Sequence, residues 1–228
     1  TMESNIIKVR KEELINLTLN GNFLYEENGE LYFTNKLNHT IFELDKDFKN
    51  YDETLNHSMN FEDYIQKFME ICSEVKNKPS LLFLNCVPKN IIRILNGTED
   101  NYKHNYHFLT ELNQDEDFKN FNEKPCVTCV QEGFADVLKK LVETRNDGIS
   151  QNDVFVFFDE PENIHNLRLP SLDTVITISR SRRIYFVLNF INKSKYIEKY
   201  GPESYQVIED NCKTKFICDY NGVVDIQP

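Results

Sequence analysis

The sequence predicts an α/β fold, a three-layer and mainly parallel sheet with helices packed against it. Three observations lead there. Val154–Phe158 is apolar without a break, and Ser80–Leu84 is nearly so, as in strands buried on both faces of a parallel sheet. Segments with apolar residues at helical spacing alternate with these runs. The order strand, helix, strand across residues 125–158 favours right-handed parallel crossovers.

Composition sets the frame. Hydrophobic residues at 40% and aromatics at 12% suit a folded chain able to bury a sizeable core. The net charge of −11 argues against a surface that binds nucleic acid throughout, so any such contact must be local. The six cysteines, with no leader-like amino end, point to reduced thiols and a cytoplasmic setting. Cys126 and Cys129 form a CxxC that lacks the further ligands a zinc site needs, so both read as small buried hydrophobes. There is no apolar run long enough to span a membrane.

Taken in order, Asn22–Tyr25 and Leu31–Thr34 flank Asn28-Gly29, a hairpin signal. Thr40–Leu44 is a short strand candidate. Residues 60–76 form an amphipathic helix, with Phe61, Tyr64, Ile65, Phe68, Ile71, Cys72 and Val75 on one face. The strand Ser80–Val87 follows, and Ile91–Leu95 is a short element of either kind. Residues 98–124 are polar and acidic and read as a long loop or insertion. Strands at 125–130 and 153–158 enclose a helix at 134–145. Beyond them lie a helix at 171–180, a strand at 184–190, a helix over 194–210 broken at Gly201-Pro202, and a strand at 213–218. The division this suggests is an amino-terminal hairpin and helix region, 1–77, ahead of an α/β domain at 78–228.

The chemistry concentrates where the central run ends in Asp159-Glu160. In open α/β sheets the ligand crevice lies at the carboxyl ends of the strands. An apolar strand closing on two carboxylates there has the layout of a Walker B element. Its first carboxylate holds magnesium and its second orients the attacking water. A second feature is basic. Arg180, Arg182, Arg183, Lys193, Lys195 and Lys199 stand against Glu198 alone, the one stretch of this acidic chain fit to meet DNA.

In one register over residues 153–220 the chain resembles the conjugative coupling proteins, the RecA-like DNA-transfer ATPases of type IV secretion. The matching pieces are Asp159-Glu160 with its linker, the basic turn Arg180–Arg183, Tyr200-Gly201, and Asn211-Cys212-Lys213-Thr214-Lys215. The resemblance implies a RecA-like fold, ATP and magnesium as cofactors, and Asp159 and Glu160 at the nucleotide. It also implies Arg180 as a finger reaching a neighbouring subunit's phosphates in a homo-oligomer, and protein partners in a secretion or conjugation machine. Within the basic stretch, Arg180, Arg182, Arg183, Lys193 and Lys195 are the candidate DNA contacts on charge alone.

Two departures argue against hydrolysis by this chain alone. No G-x-x-x-x-G-K-[ST] occurs, so nothing cradles phosphates. Where the family carries a glutamine after the strand at 184–190, this chain has Ile191, which cannot hydrogen-bond a phosphate or water. The expectation is a piece or degenerate relative of a coupling ATPase. The alternative is a non-catalytic α/β module that binds a protein.

Overall fold

The structure, a computed structural model, describes residues 24–34, 37–44, 61–86, 106–145, 152–164, 171–218 and 224–227. The hairpin is present as β1 (Leu24–Glu27) and β2 (Glu30–Phe33), antiparallel, with Asn28 and Gly29 both at positive φ in the turn. The remaining strands are β3 (His39–Leu44), β4 (Ser80–Leu84), β5 (His107–Leu109), β6 (Cys126–Val130), β7 (Val154–Asp159), β8 (Ile184–Phe190), β9 (Cys212–Cys218) and β10 (Val224–Gln227). They form one sheet in the order β10-β9-β3-β8-β7-β4-β6-β5. All neighbours are parallel except β10, which runs antiparallel to β9 at the edge.

The described helices are α1 (Phe61–Glu74), α2 (Asp115–Glu123), α3 (Phe134–Thr144), α4 (Leu172–Ser179), α5 (Lys193–Tyr200) and α6 (Pro202–Asp210). The pleat sorts the core into two halves, because successive side chains point to opposite faces. On β7, Phe155 and Phe157 join α1 and the hairpin's Phe33, while Val154, Val156 and Phe158 join the face of α2 to α6. The first half is an aromatic pile in which Phe68 meets Phe155 at 4.5 Å and Phe83 meets Phe157 at 5.0 Å. This is the expected three-layer RecA-like α/β sheet.

Three differences from the sequence reading stand out. The short strand candidate at Thr40–Leu44 is central to the sheet: β3 lies between β8 and β9, and α1 closes one face of the same sheet. β3 and α1, which the sequence reading assigns to the amino-terminal region 1–77, thus pack with the same sheet as the strands that follow. Within the expected polar insertion, the described part holds β5 and α2, with Phe118 and Phe121 fully buried. The third difference is β10, which the sequence reading did not anticipate. Ile91–Leu95 lies outside the described residues. Cys126 and Cys129 point to opposite faces of β6, each into a different half of the core, as expected of small hydrophobes.

Candidate functional site

Connections leave β3 and β8, which are neighbours, in opposite directions. The chain passes from β3 through α1 to β4 on one side, and from β8 through α5 and α6 to β9 on the other. That is the topological switch point of an open sheet, and the crevice beyond its carboxyl ends is where ligands bind. Asp159 ends β7 beside it, opposite Asn189 of β8.

The Asp159 carboxylate accepts a 2.8 Å hydrogen bond from the Asn189 amide, and its backbone carbonyl accepts one of 3.1 Å from the Asn85 amide. Burial raises the Asp159 pKa to about 6; the Asn189 bond works against that, while the charges of Glu160 and Glu62 add to it. Glu62 sits in the first turn of α1, so this helix brings a carboxylate to the crevice. Glu160 turns the chain with φ 54°, a left-handed conformation unusual for a side-chain-bearing residue, and Asn85 at the end of β4 has φ 56°. The Glu160 carboxylate accepts 2.8 Å from Asn163, and its backbone N–H donates to the Asn189 carbonyl at 3.0 Å.

Two more carboxylates lie buried close by. Glu162, in the 3-10 turn Pro161–Asn163, accepts the Asn192 N–H at 2.9 Å through Oε1, while Oε2 has no hydrogen-bond partner. Burial holds its pKa above the ordinary range. Glu43, near the end of β3, meets Lys215 at 2.9 Å and Lys193 at 3.3 Å through Oε2, and its Oε1 is likewise unpartnered. Burial raises the Glu43 pKa, and both lysines oppose that.

The structure places Asp159 and Glu160 at the end of β7 and sets the basic residues apart. Arg180, Arg182 and Arg183 precede β8 and lie at the amino edge, whereas Lys193 and Lys195 follow it at the carboxyl edge. A strand of this length holds them about 20 Å apart. Arg183 pairs with Asp153 at 2.8 Å, and Arg182 donates to the Val142 carbonyl at 3.0 Å. Lys193 is engaged with Glu43. The stretch 180–199 therefore forms no continuous basic surface. Arg180 is exposed, at the edge opposite its own Asp159.

Sequence reasoning passed over Asn85, Glu62, Glu43 and Glu162. Asn85 had a signal, since it ends a buried run just as Asp159 does. Glu43 had one too, as a charge inside an apolar run. Asp159 and Glu160 are the residues that would face a magnesium–nucleotide. Among the described residues, no three His, Cys, Asp or Glu side chains converge to hold a bare metal ion.

Residues 153–225 match the family described as the TraM recognition site of TraD and TraG. No curated protein matches the chain closely enough to count as a relative. Among solved structures, the cytoplasmic domain of the type VII secretion ATPase EccC from Thermomonospora curvata superposes with a TM-score of 0.47 at 7% identity, covering 84% of this chain and 21% of that one. A chain described as an ATPase gives 0.40 at 7% identity over 84% of this chain and 67% of its own length. A Pyrococcus horikoshii protein, PH0250, gives 0.37 at 7% identity over 83% and 85%. The chain thus spans about a fifth of the EccC structure. At these scores the fold rests on the strand order itself. Over residues 153–225, about a third of the chain, the resemblance to the coupling proteins TraD and TraG is shown by the family match.

Proposed function

We propose that this chain is a protein-docking relative of the conjugative coupling ATPases that recruits a partner for transfer and does not hydrolyse ATP by itself. The partner would be a protein filling the place that TraM fills for TraD and TraG, on the cytoplasmic side of the machine. The family match over 153–225 supports the ancestry.

One observation carries the loss of hydrolysis. In P-loop proteins a strand, a glycine-rich loop and a helix present backbone N–H groups and a lysine to phosphates. Here the strand beside the switch point is β3 and the helix that follows is α1, yet residues 45–60 between them contain no glycine, and α1 opens with Glu62 and Asp63. Carboxylates at that point repel phosphate. DNA has no part in the proposal, because the basic residues lie on opposite edges.

Calorimetry with ATP, with and without magnesium, on the chain and on Asp159→Asn tests it. The expected outcome is no binding up to about millimolar nucleotide, the weak end of measurable affinity. Magnesium-dependent binding that falls in Asp159→Asn would overturn the proposal.

A further inference from the structure

Asn28 and Gly29 close the hairpin of β1 and β2, and both residues are exposed. They stand at φ 53° and 80°, the positive values that a two-residue hairpin turn demands. A Cβ built on Gly29 would meet nothing within 4 Å, so the space around this residue is open.

An asparagine followed by glycine carries chemistry of its own. The Gly29 nitrogen stands one five-membered ring closure from the side-chain carbonyl carbon of Asn28, and glycine has no side chain to obstruct the approach. The nitrogen loses its proton, bonds to that carbon and expels the side-chain nitrogen as ammonia, which leaves a succinimide. Water then adds to either ring carbonyl and opens the ring to aspartate or isoaspartate. One water is consumed and one ammonia leaves, with no change of oxidation state.

The fold governs how often this happens. The ring closes only from a backbone turned away from the left-handed region in which Asn28 is held. The hairpin must therefore open first, and several contacts resist that. Glu27 pairs with Glu30 across the turn. The Leu31 carbonyl accepts the Lys76 N–H at 3.1 Å, and Glu30 meets the Lys76 ammonium at 2.9 Å. The Phe33 ring lies 5.7 Å from Phe68 of α1 and 5.7 Å from Phe155 of β7.

We infer that Asn28 is a site of spontaneous deamidation, gated by release of the hairpin from α1. Isoaspartate carries the main chain through its side-chain carbon, which lengthens the backbone by one atom where the turn has only two residues. Conversion thus loosens Phe33 from Phe155, on the strand that ends in Asp159. The chemistry is independent of what the crevice binds.

The test is incubation of the whole chain at mildly alkaline pH, followed by proteolysis and mass spectrometry. Labelling by isoaspartate methyltransferase marks the product at residue 28, and a peptide of residues 24–33 is the unfolded reference. Asn20-Gly21, Asn96-Gly97 and Asn221-Gly222 lie outside the described residues, and peptide mapping reads residue 28 apart from them. The folded chain is expected to convert about tenfold to a hundredfold more slowly than the peptide, as for local opening of a surface element. Phe33→Leu keeps apolar bulk but gives up both ring contacts, and should speed conversion about fivefold at unchanged circular dichroism. Val207→Ala, at an exposed position of α6, should change the rate by less than about twofold. Intact Asn28 after about ten half-lives of the peptide overturns the site. Equal rates in chain and peptide overturn the gating, as does a Phe33→Leu rate no faster than that of Val207→Ala.

Discussion

At the entry to β3 the buried imidazole of His39 accepts the Phe186 N–H through Nδ1 at 2.9 Å, which leaves the Nε2 proton to donate to the Ile176 carbonyl at 3.0 Å. One neutral ring thus ties β3 to β8 and to α4. Burial pulls its pKa from 6.5 down to about 3, and the charge of Arg180 pushes the same way. The unfolded chain takes up this proton at higher pH than the folded one. The neutral ring's contribution is therefore whole above about pH 6.5 and is lost as pH falls toward 3. His39→Gln keeps one acceptor and one donor but does not titrate. Between pH 7 and 4.5, urea unfolding of the wild type should lose about 2–3 kcal/mol more than that of the variant. Equal pH slopes would sink this account. Asp159 works in the opposite sense, since its raised pKa makes the protonated form the more stable one and stability falls as pH rises through about 6. The comparison must therefore be between variants sharing Asp159. That carboxylate and the positive φ of Glu160 are both unfavourable for folding, as is common where a site is kept for binding.

The elements at the amino edge of the sheet are held by a residue no sequence pattern announces. Arg145, fully buried just past α3, donates to the Arg182 carbonyl at 2.8 Å, to Asn122 Oδ1 at 2.9 Å and to Asn152 Oδ1 at 3.2 Å, as well as to the Asn152 carbonyl. It thereby joins α2, the lead into β7 and the turn into β8. Burial lowers its pKa to about 10, which leaves it charged at neutral pH. Asn152 in turn donates to the Ser80 hydroxyl at 2.6 Å, so the start of β4 belongs to the same network. A lysine cannot reach these separated acceptors with one ammonium. Arg145→Lys is expected to cost about 3 kcal/mol in urea unfolding, the usual scale for breaking a buried charged network. A loss under about 1 kcal/mol would show that water replaces the network, as it does at exposed sites. α2 was hidden in the sequence for a related reason. Its buried residues, Phe118, Phe121 and Asn122, are too few among charges to mark a face, and only the sheet edge beside them makes them core.

For the whole molecule the decisive fact is the place of β3 between β8 and β9. A chain reduced to residues 78–228 would leave β8 and β9 without the strand both pair with, and would uncover Phe42's stacking partner Phe216, 4.5 Å away. Such a fragment is expected to lack cooperative thermal unfolding and dispersed amide resonances. A folded fragment would show that the amino-terminal region is dispensable. The same arrangement makes the crevice, because β3 is one of the two strands at the switch point.

The sequence by itself determined which segments are strands and helices in most of the chain, that the sheet is parallel and buried on both faces, and that Asp159-Glu160 closes a central strand. These follow from local patterning: unbroken apolar runs, helical spacing, and carboxylates at a strand end. Only the tertiary structure decided the order of the strands, the pairing of β3 with β8 and β9, the separation of Arg180–Arg183 from Lys193–Lys195, and the gathering of Glu62, Asp159, Glu160 and Glu162 at one edge. Parallel pairing joins residues far apart in the chain, as Thr40 with Val187, and no local periodicity records which distant strand will be the neighbour.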